Sequence, residues 1–267
     1  MAEKIDRKQL KRPDEFQLVA GRAMEWMVGH RSLVLGVGGG VLAALLIAWG
    51  VIAWRTSREA KAGAALAEAL ELESRPIAGE GPAQPGQESF PSKEERDKAV
   101  LAALENVRTA HGGTTAGQTA IAEIGFHKLK AGDAAGAQKD LQEFLDRAGK
   151  DHPLRPFAQE SLGYALEAQN KLDDARAAFE KLRDLDLPAR ADYQVARLAL
   201  LQGKPDAIEQ LERVATDHPK EAAVVREANE RVEIASLPPV AAGQAAPVPR
   251  PEKTPPEGKQ SPGKKKR

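Results

Sequence analysis

The stretch from Leu33 to Trp54 constrains the fold more than any other part of the sequence. It contains twenty-two residues without a charge and is bracketed by Arg31 and Arg55. At about 1.5 Å of rise per residue, a helix of this length reaches roughly 33 Å, which is enough to cross a hydrocarbon core of about 30 Å. Unpaired backbone groups are costly in lipid, so a spanning segment must be helical. We therefore predict a transmembrane helix over residues 32–54.

The predicted membrane-anchor residues are Leu33, Trp49 and Trp54, since tryptophan is common where a spanning helix meets the interface. A cleavable signal peptide is one alternative, but it has a shorter apolar region and a small-x-small cleavage site, whereas this stretch ends in Ala-Trp-Arg-Thr. A buried core helix is the other alternative, but the glycines between positions 36 and 40 would weaken a helix in water. Gly36 and Gly40 also form a Gly-x-x-x-Gly pair, which can bring two membrane helices together, so a homo-oligomer is a further hypothesis.

Composition narrows the class of the remaining chain. The chain has 39 Lys and Arg residues and 39 Asp and Glu residues, so its formal net charge is zero. No net positive charge attracts nucleic acid, and no nucleic-acid partner is expected. The absence of cysteine excludes disulfides, thiol catalysis and cysteine-ligated metal. Strong helix formers such as Ala, Leu, Glu and Lys are abundant, and no β-branched alternating run occurs. The predicted fold class is all-α.

The chain on either side of the apolar stretch divides by composition. Residues 1–31 are predicted to be an arm that includes a short amphipathic helix at the interface; the alternative is a simple extension of the spanning helix. The predicted segments after the anchor are a juxtamembrane helix, a Pro- and Gly-rich linker, a helical repeat domain and a disordered Pro- and Lys-rich tail, over residues 55–75, 76–93, 94–236 and 237–267. The tail is basic and cannot bury enough apolar area to fold.

Three degenerate repeats form the most specific pattern in the chain. Each has a small residue in a first helix, then a Gly or Asn turn, then an Ala in a second helix. These positions are Gly125, Gly132 and Ala137 in the first repeat, Gly163, Asn170 and Ala175 in the second, and Ala196, Gly203 and Ala207 in the third. Small residues let two antiparallel helices pack closely, and the turn residue admits positive φ. One such pair cannot bury its apolar face alone, so the pairs are expected to stack.

This pattern resembles the tetratricopeptide repeat, in which Leu-Gly is followed by an Ala twelve residues after the Gly and an aromatic residue four later. Leu162-Gly163, Ala175 and Phe179 match that spacing best. The first repeat has Leu141 at the aromatic position, and the third has Leu211 there and lacks the Gly. The resemblance implies a degenerate helical solenoid whose first helices line a concave groove.

The groove positions of that family, carried over to this sequence, are the candidate protein-binding residues. They are Phe126 and Lys130 with Ala122 and Leu129 in the first repeat, Glu160, Tyr164 and Glu167 in the second, and Tyr193 and Arg197 with Leu200 in the third. Tyrosine offers apolar area and a hydroxyl at low entropy cost, which suits a recognition surface. The alternative is ordinary packing against the next helix. Phe144 and Phe179, on second helices, are predicted to lie in the core.

The sequence contains no recognisable active-site constellation. The histidines show no metal-ligand spacing, and Gly36–Gly40 lacks the Lys-Ser/Thr sequel of a phosphate loop. His152 and His218 both occur in Asp-His-Pro at the ends of predicted helices, which turn chemistry explains better than catalysis. We therefore predict no catalytic residue, no metal site, no cofactor and no enzymatic activity, and instead a role in binding.

The layout of roughly residues 14–236 resembles the tetratricopeptide-repeat ancillary subunit of the bacterial Sec translocon. That resemblance implies a single-pass inner-membrane protein with a cytoplasmic amino terminus and a periplasmic repeat domain. It also implies translocon components, periplasmic chaperones or client proteins as partners, beside the lipid bilayer. The alternative hypothesis is a structural scaffold of the envelope or of cell division, whose basic tail contacts the cell wall or other anionic surfaces.

Overall fold

The computed structural model describes residues 15–79 and 88–237, with side chains from residue 18 onward. Residues 1–14 of the arm, much of the linker and the tail after Leu237 lie outside the described residues. The helices are α1 Glu15–Gly29, α2 Arg31–Ser74, α3 Lys93–His111, α4 Thr115–Lys130, α5 Ala134–Arg147, α6 Arg155–Ala168, α7 Leu172–Glu180, a 3-10 helix Lys181–Leu185, α8 Pro188–Leu201, α9 Ala207–Asp217 and α10 Ala222–Ser236. In the described ranges the only strand-like pairing is one bridge between Ile77 and Phe90. The all-α prediction is confirmed.

The longest element is α2, whose 44 residues correspond to about 66 Å of helix. Its first part carries exposed apolar side chains and is long and apolar enough to cross a membrane. Its last part turns Ala62 and Ala69 into the protein core. One unbroken helix therefore covers both the apolar stretch and the predicted juxtamembrane segment.

α1 joins α2 through a one-residue junction at His30. The His30 amide donates to the Trp26 carbonyl at 3.0 Å, and the Val34 amide donates to the His30 carbonyl at 2.9 Å. The helical pattern of hydrogen bonds thus passes through the junction.

The helices form two compact units, which divide within α8 after Ala191. The core of the first unit begins where Ala69 of α2 packs with Val100, Leu104 and Val107 of α3 and with Ile124 of α4. Burial of such side chains contributes roughly 1.5–3 kcal/mol each, so this cluster fixes the end of α2 against the following hairpin.

Two polar contacts show how α4 runs relative to α2. The Thr115 amide donates to Glu59 Oε1 at 3.0 Å near the start of α4, and His127 Nε2 lies 3.8 Å from Glu73 Oε2 near its end. Because both residue numbers increase together, α2 and α4 run parallel. The α3–α4 turn therefore lies beside the part of α2 that directly follows the apolar stretch.

The hairpins α4–α5 and α6–α7 cross at the glycines that the sequence pattern singles out. A Cβ added to Gly125 would lie 2.7 Å from Leu141 Cγ, and one added to Gly163 would lie 2.6 Å from two carbons of the Phe179 ring. Phe144 and Phe179 are both fully buried, as predicted. The turns that follow the first helices have positive φ at Gly132, Asn170 and Gly203, which confirms the predicted turn chemistry.

A buried ionic cluster joins α3, α4 and α5. The Asp140 side chain is 1% exposed and accepts hydrogen bonds from Arg108 Nη1 at 3.2 Å and from Lys128 Nζ at 2.6 Å. Arg108 also pairs with Glu143 through its second terminal nitrogen. One carboxylate on α5 thus neutralises cations from two other helices.

The second unit contains α9, α10 and the part of α8 from Asp192 onward. Tyr193, Ala196, Leu211, Val214 and Ala228 form its buried apolar cluster. At the end of α9, His218 Nε2 lies 2.7 Å from Asp192 Oδ2. The Asp-His-Pro sequence at 217–219 therefore ends a helix and ties it to the start of the unit.

Candidate protein-binding groove

An apolar groove lies between α4 and α6 in the first unit. It has a volume of about 560 Å³ and is lined by Phe126, Leu129, Lys130, Leu154, Phe157 and Ser161. Phe157, one of the two phenylalanines in the lining, leaves 62% of its surface exposed. An exposed aromatic side chain beside a mainly apolar cleft is typical of a binding surface, whereas the aromatic side chains of a hydrophobic core are covered.

The α4 wall of the groove is set by capping at both ends of that helix. The Thr114 hydroxyl accepts a hydrogen bond from the Gly117 amide at 3.0 Å, which caps the first turn. The helix ends at Lys130, and the amide of Gly132 in the following turn donates to the Leu129 carbonyl at 3.0 Å. Between these ends, Ile121 and Ile124 face the core. Phe126 and Lys130, one turn apart, consequently share another face.

The α6 wall begins at a turn that also closes α5. Arg155 Nη1 donates to the carbonyls of Leu145 at 2.8 Å and Ala148 at 3.0 Å, which satisfies acceptors left over at the end of α5. Pro156 occupies the first turn of α6, where its missing amide hydrogen costs nothing. Leu154, Phe157 and Ser161 follow at intervals of three and four residues and form one stripe on the groove side.

The structure brings together only part of the predicted set of binding residues. Phe126 and Lys130 line the groove together with Leu129. Ala122, in contrast, is fully buried. Sequence reasoning missed Phe157, yet a signal was present: Ala158, Leu162 and Ala165 form the buried stripe of α6, and Phe157 is an aromatic residue that lies outside it.

The predicted residues Glu160 and Tyr164 belong to a separate polar network on α6. The Tyr164 hydroxyl donates to Glu160 Oε1 at 3.1 Å, and Arg190 Nε donates to the same oxygen at 2.6 Å. The Tyr164 ring meets the buried Phe179 ring edge-on, with centroids 5.4 Å apart. These contacts hold both side chains in place within the protein. Glu167, one turn after Tyr164, is half-buried.

The remaining predicted residues lie in the second unit. Tyr193 is 5% exposed and packs in the apolar cluster with Leu211 and Val214, so its ring is core in this unit and does not line a surface. The alternative prediction for this position, ordinary packing against neighbouring helices, therefore fits Tyr193. Arg197 is half-buried, and its Nε donates to Gln194 Oε1 at 2.7 Å.

Beneath the α5–α6 turn, His152 is held in a buried site. Its Nδ1 accepts a hydrogen bond from the Leu154 amide at 3.2 Å, and its ring meets Phe144 edge-on with centroids 4.9 Å apart. Burial lowers the pKa of His152, and the charge of Arg155 acts in the same direction, while a hydrogen bond with the Thr115 backbone opposes them. The folded protein therefore favours the neutral imidazole.

This pKa shift predicts a pH dependence of stability. Because the unfolded chain, with a histidine pKa of about 6.5, binds more protons than the folded protein, the contribution of His152 is complete above about pH 6.5 and is lost as the pH falls through that value towards the lower folded pKa. We expect His152→Gln to flatten the decline in the free energy of unfolding between about pH 6.5 and pH 5. Unfolding of the full chain at several pH values measures this slope. An unchanged slope in His152→Gln, or an equal flattening in the control His111→Gln, contradicts the assignment.

No protein-family model, curated protein or solved structure significantly matches this chain. Within residues 15–79 and 88–237, no three His, Asp or Glu side chains are grouped as a metal site would require.

Proposed function

We propose that this protein is a membrane-anchored scaffold that binds an apolar segment of a partner protein in the α4–α6 groove. The observation that carries the proposal is the exposed Phe157 ring in a mainly apolar lining. An aromatic side chain in a concave apolar site is the typical anchor of a protein interface. Lys130 at the edge of the groove favours acidic residues beside the apolar segment.

The proposed anchor is the apolar part of α2. Its length, its lack of charge and the exposure of its side chains support insertion into a bilayer. Anchoring confines the groove to the membrane surface and raises its effective concentration near other membrane proteins.

The proposed repeat architecture is tetratricopeptide-like. The helix crossings at Gly125 and Gly163 and the three turns with positive φ support it. In such an array, α4 and α6 are the first helices of neighbouring repeats, which is where the family resemblance puts its concave binding surface. The groove between them fits that expectation.

The proposed location is the bacterial inner membrane, with the amino terminus in the cytoplasm and the helical domain in the periplasm. The seven basic residues from Lys4 to Arg31 support this orientation. The resemblance to the Sec ancillary subunit points to translocon components, periplasmic chaperones or their clients as partners. Protease protection in spheroplasts tests the orientation, since external protease must digest the chain after Arg55.

The binding proposal predicts a crosslink that depends on Phe157. We expect a photoreactive amino acid at Ser161 of the full chain, in native membranes, to crosslink a translocon component, an exported chaperone or a client. Phe157→Ser should reduce that crosslink at least about tenfold, because losing an aromatic anchor typically costs about 2 kcal/mol of binding. The stability of the protein should change little, since the ring is mostly exposed.

Matched controls distinguish binding in the groove from nonspecific binding to exposed apolar side chains. A photoreactive residue at Gln142, on an exposed part of α5, should not give the same crosslink. Leu201→Ser removes another exposed apolar side chain, 60% exposed on α8, and should leave the Ser161 crosslink unchanged. Equal crosslinking in Phe157→Ser and the native chain, or crosslinks to cytosolic proteins alone, would falsify the proposed function.

A further inference from the structure

The α3–α4 turn lies at the level of the chain where a spanning α2 would leave the hydrocarbon. Glu59, which binds the Thr115 amide and hydroxyl, follows Trp54 by five residues. Five residues of helix correspond to about 7.5 Å. The headgroup layer on each side of a bilayer is about 5–7.5 Å thick. If α2 crosses the membrane, the turn therefore lies at the depth of the lipid headgroups.

A cleft opens at this level between α2 and the turn. It has a volume of about 520 Å³ and is lined by Trp54, Arg55, Arg58, Glu59, Gly113 and Thr114. The Arg58 guanidinium lies over the Trp54 ring, 4.8 Å from its centroid. A cation–π contact of this kind holds the guanidinium near the interface. The cleft thus presents positive charge beside the end of the apolar stretch.

The charged side chains that line the cleft differ in their polar contacts within the protein. The Glu59 carboxylate accepts hydrogen bonds from the Thr115 amide at 3.0 and 3.2 Å, so it caps α4. Across residues 15–79 and 88–237, Arg55 and Arg58 have no carboxylate within ion-pair distance. The acidic group is therefore occupied and the two guanidinium groups face the cleft without an anionic partner from these residues.

We propose that this cleft binds the phosphate of an anionic phospholipid from the bilayer that α2 crosses. Arginine donates several hydrogen bonds in a planar fork that suits phosphate oxygens, and tryptophan favours the interfacial depth. The bound headgroup would contact both α2 and the α3–α4 turn, so it would hold the helical domain against the membrane surface. This inference rests on the proposed membrane anchoring and adds a lipid specificity to it.

The test measures which lipid lies beside Trp54. The full chain with Trp26→Phe and Trp49→Phe, so that Trp54 is the only tryptophan, is reconstituted in nanodiscs of phosphatidylcholine with 20% phosphatidylglycerol, roughly an inner-membrane charge density. Trp54 fluorescence is then quenched with spin-labelled phosphatidylglycerol or with spin-labelled phosphatidylcholine. We expect labelled phosphatidylglycerol to be preferred about fivefold, and Arg55→Gln/Arg58→Gln to abolish the preference.

The ratio of quenching by the two lipids cancels any change in Trp54 emission when Arg58 is replaced. The control Arg176→Gln removes an exposed arginine from α7 and should keep the preference. Equal quenching by the two lipids in the chain whose only tryptophan is Trp54, or a preference that survives Arg55→Gln/Arg58→Gln in that chain, overturns the lipid site but leaves the anchor intact. Quenching by neither lipid overturns the anchor itself and the lipid site with it.

Discussion

Asp140→Asn should lower the free energy of unfolding by about 3 kcal/mol, because breaking a buried ion pair leaves its partner charges uncompensated. Asp140 is almost fully buried and accepts hydrogen bonds from Arg108 on α3 and Lys128 on α4. Asparagine keeps the shape but removes the charge that neutralises both cations. Arg108 retains its pair with Glu143, and Lys128 is partly exposed, which limits the loss to the lower end of the range for buried pairs.

Chemical unfolding of the full chain in nanodiscs, followed by circular dichroism, measures the change, and hydrogen exchange locates it. Exchange of the α4 and α5 amides should accelerate more than that of the α9 and α10 amides. The matched control is Asp146→Asn, on the same helix, where the carboxylate is exposed and should contribute no more than about 0.5 kcal/mol. If the two variants lose the same stability, the cluster does not hold these helices together.

Gly163→Val should lower the free energy of unfolding by about 2–3 kcal/mol through overpacking of the α6–α7 crossing. A Cβ at this position would lie 2.6 Å from two carbons of the Phe179 ring, and that ring is fully buried. The ring therefore cannot move aside without displacing the core. Removing a helical glycine is otherwise favourable, so the loss must come from this contact.

Gly63→Val is the matched control for the crossing. Gly63 also lies inside a helix, but beyond the adjacent residues and backbone of that helix no atom lies within 4 Å of the Cβ that would be added. Its stability should stay the same or rise slightly. Phe179→Leu combined with Gly163→Val should cost less than the sum of the two single losses, because the smaller side chain leaves room for the valine. Additive losses would show that the predicted clash is not the cause.

Local features of the chain are predictable because they depend on residues close together in sequence. The apolar periodicity predicted the helices, and the turn residues predicted positive φ at Gly132, Asn170 and Gly203. The small residues Gly125 and Gly163 predicted the close crossings, because neighbouring antiparallel helices joined by a short turn must meet near such positions.

The groove was predictable only in part. Of the positions that the family spacing predicted, Phe126 and Lys130 line the α4 wall, whereas the α6 wall is formed by Leu154, Phe157 and Ser161 and not by Glu160 and Tyr164. The hydrophobic periodicity of a helix shows which of its side chains lie outside its buried stripe. It does not show which neighbouring helix that side chain faces, since this depends on how the hairpins pack.

The sequence by itself determined the helical class, the charge-free stretch long enough to span a membrane, and the spacing of the turns. These follow from local propensity, hydrophobic period and length. Only the tertiary structure decided that Phe157 stays exposed beside Phe126, and that Asp140 neutralises cations from two other helices. It also decided that Glu59 caps α4 from a position 56 residues earlier in the chain. Each of these contacts joins residues that are distant in sequence, and local pattern carries no information about which distant helices become neighbours.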